Sequence, residues 1–238
     1  MQNAVIIHHG IKGQKWGVRR FQNEDGSLTN AGEKRYGQSN KRPTLGDRIA
    51  RKRSIYGKLS DEKEIWGKGT VTNRVTSDAK ADAKKNGYTY VSKGDDWKLY
   101  YEFGFGNQLM QRPVKDKLVS PSEKERIDIF IDMAKDKRMA DIMAGELAKG
   151  RLVFKSKSKA QKDIARISER SVTRTNRAEL SDMLYNSKIV REEYFKRVKD
   201  RGYNAIADDS DRLASFGMSS LIVLNQETSL GEMRVKDI

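Results

Sequence analysis

The order of β-rich and helical segments after residue 58 most constrains the fold of this chain. Two short segments rich in β-branched and aromatic residues, 70–76 and 88–92, come first and predict strands. Segments with apolar residues at helical spacing follow, and the chain closes with two apolar segments, 203–207 and 221–224. Strands, then helices, then strands indicate an α+β domain with a small mixed or antiparallel sheet and several helices.

A capping signal predicts where the central helical stretch begins. In the segment 120–123, Ser120 is predicted to be the N-cap, Pro121 the first helical residue and Glu123 the reciprocal capping carboxylate. Gly202 is predicted to end the last helix, because glycine adopts the left-handed backbone of a helix C-terminus at little cost.

A shorter helix is predicted over residues 95–103. Its spacing places Trp97, Tyr100 and Tyr101 on the inner side. These rings can stack on a base, but an aromatic stripe at helical spacing more often belongs to a core.

The side chains that are missing restrict the chemistry open to the chain. Cysteine is absent, which fits a reducing cytoplasm, and the two histidines are His8 and His9. Residues 59–238 therefore cannot form a Ser-His-Asp or Cys-His triad or a histidine-dependent ribonuclease site. The sequence shows no P-loop, no glycine-rich dinucleotide motif and no typical metal-ligand spacing.

Arginine, serine and carboxylates remain as candidate functional groups. Arg74 lies on a predicted strand, where its guanidinium either binds a phosphate through two hydrogen bonds or faces water. Ser92 ends a predicted strand, where it orients a ligand or forms a turn. Three roles stay open for the acidic group formed by Asp208, Asp209 and Asp211: it could bind a cation, act as a base or cap a loop.

Residues 1–58 are predicted to form a basic, glycine-rich, extended arm in front of a body, residues 59–238. The arm carries 13 Lys and Arg against 4 Asp and Glu, a net charge of +9, and the body carries 35 against 29, a net +6. This charge indicates contact with nucleic acid or an acidic protein surface, or only keeps the arm soluble. No apolar run approaches the roughly 20 residues that span a bilayer, so no membrane contact is predicted.

The arm contains the run HHGIKGQKWGVRRFQNEDGSLT at residues 8–29. It resembles a peptide that recurs at the ends of virion proteins of tailed phages and prophages, and the resemblance covers residues 6–37. The resemblance implies that the peptide recurs on otherwise different bodies, from which we infer a docking or packaging tag that binds phage head or portal proteins. The expected location is then the phage head, with the host cytoplasm during production or after ejection. Contact with packaged DNA is a further expectation. The partner-binding residues are then expected to be Lys12, Lys15, Trp16, Arg19 and Arg20.

The body resembles phage-encoded domains related to ADP-ribosyltransferase toxins. The resemblance lies in Asn-Arg-Val at 73–75, in Tyr-Thr-Tyr-Val-Ser at 88–92 and in the two closing apolar segments. It implies that NAD binds the body and is the source of the transferred group. It also implies the residues that contact NAD, namely Arg74, Ser92, Tyr90 and Tyr100.

The chain departs from this family at the position of the catalytic glutamate. The family places a catalytic glutamate just before the last strand, where Ser219 and Ser220 stand, and Glu227 follows that strand instead. The acid is therefore expected to be Asp209 or Glu227, with Asp208 and Asp211 as further candidates.

Three functions stay open from the sequence. The first is a head-associated phage protein, ejected with the genome, whose ADP-ribosyltransferase-like domain acts on a host target. The second is a non-catalytic minor head or structural protein with a degenerate body. The third is a nucleic-acid-binding or nuclease toxin domain, which would show strongly salt-dependent affinity.

Alanine replacement of Lys12, Lys15, Trp16, Arg19 and Arg20 together should abolish incorporation into phage heads, because it removes the expected docking residues. Quantitative mass spectrometry of purified virions measures this. The control variant replaces the four basic residues of the segment 48–53 and so removes the same charge outside the peptide. Equal incorporation of the two variants would contradict a docking role.

Overall fold

The computed structural model of this protein describes Thr29 and residues 45–84, 87–149, 155–208 and 220–238. The chain divides into two compact units, Met1–Arg48 and Ile49–Ile238. The second unit holds almost all of the described residues, and its fold positions the site.

The described elements follow the predicted order of strands, helices and strands. In chain order they are α1 (Leu45–Lys52), a 3₁₀ turn (Tyr56–Lys58), β1 (Glu64–Trp66), β2 (Val71–Thr76), α2 (Ala79–Lys84), β3 (Thr89–Lys93), α3 (Trp97–Glu102), β4 (Gln108–Pro113), β5 (Leu118–Ser120), α4 (Glu123–Lys135), α5 (Lys137–Lys149), α6 (Lys157–Ser168), α7 (Arg174–Asn186), α8 (Lys188–Asp200), β6 (Ala205–Ala207), β7 (Ser220–Val223), α9 (Gln226–Ser229) and β8 (Arg234–Asp237). The α+β class is confirmed. None of the described helices is long and apolar enough to cross a membrane.

Two antiparallel sheets form among the described residues. The larger has six strands in the order β6-β7-β3-β2-β4-β8, and β1 pairs with β5 in the smaller. The strands β4, with the sequence Gln-Leu-Met-Gln-Arg-Pro, and β8, with Arg-Val-Lys-Asp, lack any apolar alternation. Sequence analysis therefore missed them, because pairing with neighbours and not local preference makes them strands.

The large sheet is covered on both faces at its β6–β7 end. Ile206 and Ile222 pack into the core formed with helices α4 to α8. Leu221 and Val223 point the other way and pack with Trp66 and residues of the small sheet. Because successive strand residues face opposite sides, burial of both faces explains the uninterrupted apolar run at this strand.

Helix α4 begins two residues later than the sequence predicted. Ser122 is its N-cap, since the Ser122 hydroxyl accepts from Glu125 N–H and the Glu125 carboxylate accepts from Ser122 N–H. The prediction for Ser120 was wrong because this buried residue ends β5, where its hydroxyl accepts from Ala207 N–H at 2.7 Å. Both serines precede a glutamate by three residues, so the sequence pattern fits either as the N-cap. The pairing of Ser120 in β5 leaves Ser122 as the residue that caps the helix.

Two other local predictions have different outcomes. Gly202 follows α8 with φ of 82°, as predicted for a helix C-terminus. Tyr101 on α3 is 45% exposed, so its predicted inward position was wrong. Trp97 and Tyr100 on the same helix are half-buried.

The last residues assigned to the arm pack on the body. Ile55 N–H donates to the Val172 carbonyl at 2.7 Å, and the Tyr56 hydroxyl donates to Asp128 Oδ1 at 2.5 Å. These bonds tie the 3₁₀ turn to α4 and to the segment before α7.

A buried ion cluster joins α6 to α7. Lys155 Nζ donates to Asp163 Oδ2 at 2.8 Å and to Glu179 Oε2 at 2.7 Å, and all three residues are buried. The lysine pairs with carboxylates from two helices, and Arg166, whose Nη1 lies 3.5 Å from Asp163 Oδ1, adds a second positive charge to the cluster.

Replacing Ser122 with alanine should lower the free energy of unfolding by about 0.5–2 kcal/mol, because it removes the N-cap acceptor of α4. Urea denaturation measures the change. Ser158→Ala, at an exposed position inside α6, is the control and should change stability by no more than about 0.5 kcal/mol. A similar effect of both replacements would show that the Ser122 cap is unimportant.

Candidate functional site

The site is a gap between two neighbouring strands of the large sheet. The strands β2 and β3 pair only at Thr72 with Lys93 and at Asn73 with Ser92. Beyond that point β2 stays paired with β4, and β3 stays paired with β7. The gap opens into a cleft of about 490 Å³, a volume typical of small-molecule sites.

The structure brings together four of the residues predicted from the sequence. Arg74, Tyr90, Ser92 and Tyr100 all line the cleft. Asp208, named among the candidate acids, lines it too. A cation, a carboxylate, a hydroxyl and aromatic rings therefore share one concave surface.

Arg74 is held from both sides of the gap. Its Nε donates to Asp82 Oδ2 at 3.0 Å, and its Nη2 lies 2.9 Å from the same oxygen. Its Nη1 donates across the gap to the Tyr90 carbonyl at 3.3 Å. Thr76 Oγ1 also donates to Asp82 Oδ2, at 2.6 Å. The guanidinium is therefore oriented in advance, and its side chain remains 26% exposed for contact with an anion.

Asn73 and Ser92 close the end of the gap where the strands still pair. The Ser92 hydroxyl donates to the Asn73 carbonyl at 3.3 Å, and both residues are buried. The Asn73 side chain donates to the Gly94 carbonyl at 2.9 Å and accepts from Gln111 Nε2 at 2.8 Å. This network places the Ser92 oxygen at the base of the cleft.

Two aromatic pairs line the cleft. The rings of Tyr90 and Tyr185 are stacked, with centroids 5.9 Å apart and planes 20° apart. Those of Tyr100 and Phe105 meet edge to face, with centroids 5.7 Å apart. Such rings offer faces and edges on which the planar ring of a ligand can pack.

A glycine is required where the turn that carries Phe105 meets β2. A Cβ at Gly106 would lie 2.1 Å from the Thr76 carbonyl carbon, closer than any side chain tolerates. The turn therefore sits directly on the end of β2 and holds Phe105 at the edge of the cleft.

Asp208 lines the cleft from the position directly after β6. It is 5% exposed, and its N–H donates to the Ser220 carbonyl at 3.0 Å. The Tyr185 hydroxyl donates to its Oδ1. Asp208 also lines a small cavity of about 20 Å³ together with Arg126 and Arg177.

Glu227 does not line the cleft, so the structure does not place it where the sequence expected the acid. It belongs to α9, where its carbonyl accepts from Lys115 Nζ at 2.6 Å. The strand β7 starts beside Ser92 and ends beside Thr89, so residues after it leave from the far end of the strand. Asp209, Asp211 and the expected arm residues lie outside the described residues.

Sequence reasoning missed Asp82, Phe105 and Tyr185. Asp82 and Phe105 lie within residues 74–105, but no motif marks them. Tyr185 lies on α7, far along the chain, and only the packing of that helix brings its ring to the sheet. Within the described part of the chain, no cluster of three His, Cys, Asp or Glu forms a metal site.

The hydroxyl of Tyr90 stays protonated at neutral pH. Burial raises the pKa of its hydroxyl to about 12, and the neighbouring Tyr88 and Asp208 act in the same direction. The group is therefore unsuited to act as a base and suited to donate a hydrogen bond.

Comparison of the chain with protein-family models, with characterised proteins and with solved structures finds no match. The function is therefore inferred from the cleft and from the residues themselves.

The pKa of Tyr90 predicts a loss of stability in alkali. The unfolded chain releases the Tyr90 proton near pH 10 and the folded protein near pH 12. The stability that the protonated hydroxyl contributes is therefore complete below pH 10 and is lost as the pH rises to 12. Between these values the wild type should lose more free energy of unfolding than Tyr90→Phe. Urea denaturation at several pH values measures both, and Tyr101→Phe, at an exposed ring, should follow the wild type. Parallel curves for wild type and Tyr90→Phe would contradict the raised pKa.

Proposed function

We propose that the body is a transferase that binds NAD in the cleft between β2 and β3 and transfers its ADP-ribosyl group to a host target. The observation that carries the proposal is the convergence of Arg74, Ser92, Tyr100 and Asp208 on one cleft. These residues come from separate parts of the chain, and a solvent-facing arginine far from any acid would have favoured a structural protein instead.

The properties of the cleft fit NAD. The fixed guanidinium of Arg74 suits a phosphate oxygen, and it stays partly exposed after its bonds to Asp82 and Tyr90. The aromatic pairs suit planar rings, and the Ser92 hydroxyl suits a ribose hydroxyl. The volume of about 490 Å³ suits a ligand of this class.

In the reaction, the bond between the ribose carbon and nicotinamide breaks, and its electron pair leaves with nicotinamide. A lone pair of the acceptor forms the new bond to that carbon, and the acceptor proton passes to solvent. Positive charge develops on the ribose, and a nearby carboxylate lowers the barrier by stabilising it. Asp208 is the acid that we assign to this role, since it lines the cleft and Glu227 does not.

We further propose that the arm directs the protein to a phage head, where it meets head or portal proteins and packaged DNA before ejection. The peptide at residues 6–37 supports this, together with the net charge of +15.

Arg74→Lys should weaken NAD binding by about tenfold to a hundredfold, because lysine keeps the charge but lacks the planar guanidinium that bonds Asp82 and Tyr90 from separate nitrogens and keeps donors for a phosphate. Isothermal titration calorimetry measures the affinity. Arg234→Lys, at an exposed position on β8, is the matched control and should bind like the wild type. Absence of NAD binding by the wild type would refute the proposed function.

Asp208→Asn should reduce the rate of transfer by about a hundredfold to a thousandfold while leaving NAD affinity within about threefold, because the carboxylate acts on charge that develops during the reaction. Label transfer from radioactive NAD to proteins of a host lysate measures the rate. Wild-type binding of NAD without any transfer would favour the non-catalytic alternative.

A further inference from the structure

We propose that Tyr185, on the helical side of the cleft, is a positioning residue that sets the orientation of the Asp208 carboxylate through its hydroxyl. The catalytic effect that we assign to Tyr185 rests on the proposed function. The contact between Tyr185 and Asp208 rests on the structure. The proposal assigns a role to a side chain that no sequence signal identifies.

The main chain at Tyr185 is fixed by the next helix. Arg191 of α8 donates from Nη1 to the carbonyls of Leu184 and Tyr185, both at 3.0 Å. The Arg191 guanidinium also lies 5.8 Å from the centroid of the Tyr88 ring. The end of α7 is therefore tied both to α8 and to the chain entering β3.

The ring of Tyr185 is fixed by the sheet. It stacks on Tyr90 at 5.9 Å, and Tyr90 itself meets Tyr88 edge to face at 6.1 Å. Because the main chain and the ring are both held, the position of the Tyr185 hydroxyl is fixed. From this position it donates to Asp208 Oδ1.

The bond from Tyr185 holds one oxygen of the Asp208 carboxylate. The main chain of Asp208 is held directly after β6 by the bond from its N–H to the Ser220 carbonyl. A carboxylate rotates about its side-chain bonds unless a partner holds one oxygen. With Oδ1 held by Tyr185, the carboxylate samples fewer orientations in the cleft, so less of the cost of orienting it is added to the reaction barrier.

Tyr185→Phe is the direct test, since it removes the hydroxyl and keeps the ring on Tyr90. We expect kcat for ADP-ribosyl transfer to fall about tenfold or more while KM for NAD changes by less than about twofold. Tyr203→Phe is the matched control, because the Tyr203 hydroxyl donates to the Glu125 carboxylate at 2.7 Å outside the cleft. It should leave kcat and KM unchanged, and melting temperatures of both variants check the fold.

A double-mutant cycle separates positioning from a direct role. If Tyr185 acts through Asp208, Tyr185→Phe should cause no further loss of kcat in the Asp208→Asn background. An additional tenfold loss there, or an unchanged kcat for Tyr185→Phe alone, would overturn the inference.

A spectroscopic measurement keeps this test independent of the proposed function. The ¹³C resonance of the Asp208 carboxyl, assigned by its disappearance in Asp208→Asn, should shift in ligand-free Tyr185→Phe and stay in place in Tyr203→Phe. If NAD neither binds nor reacts but this shift appears, the transferase proposal fails and the positioning contact stands. If NAD reacts but the resonance is unchanged, the transferase proposal stands and the inference about Tyr185 fails.

Discussion

The loss of pairing between β2 and β3 is the constraint on which the rest of the site depends. Two adjacent strands that stop pairing expose main-chain groups, and these groups need other partners. Arg74 supplies one of them, because its Nη1 bonds to the Tyr90 carbonyl across the gap. Asp82 balances its charge from α2, directly after β2. The side chain that bridges the gap is thus the cation that we assign to phosphate binding.

The gap also explains why the helical layer contributes to the site. Helix α7 packs on the sheet through its buried residues and presents Tyr185 at the opening, where the ring stacks on Tyr90. On the opposite side, the turn at Gly106 rests on the end of β2 and presents Phe105. The cleft is therefore built from the sheet, one helix and one turn, each held by contacts outside the cleft.

Sequence reasoning succeeded where a local pattern determines structure. The β-branched run around Arg74 and the aromatic run ending at Ser92 became strands, and Gly202 ended a helix. It failed where two local patterns compete or none exists, as at the N-cap of α4 and in the polar strand β4. At the site it named Arg74 and Ser92 but could not choose among the acids, because the path of the chain after β7 takes Glu227 away.

The sequence by itself determined the order of elements, the absence of histidine and cysteine chemistry in the body, and the residue types left to form a site. Those properties depend on composition and on local spacing, which the chain carries without folding. Tertiary structure alone decided that β2 and β3 separate, that Asp208 lines the cleft and Glu227 does not, and that Tyr185 meets both Tyr90 and Asp208. These are contacts between residues far apart in the chain, and only the packing of helices on the sheet sets their distances.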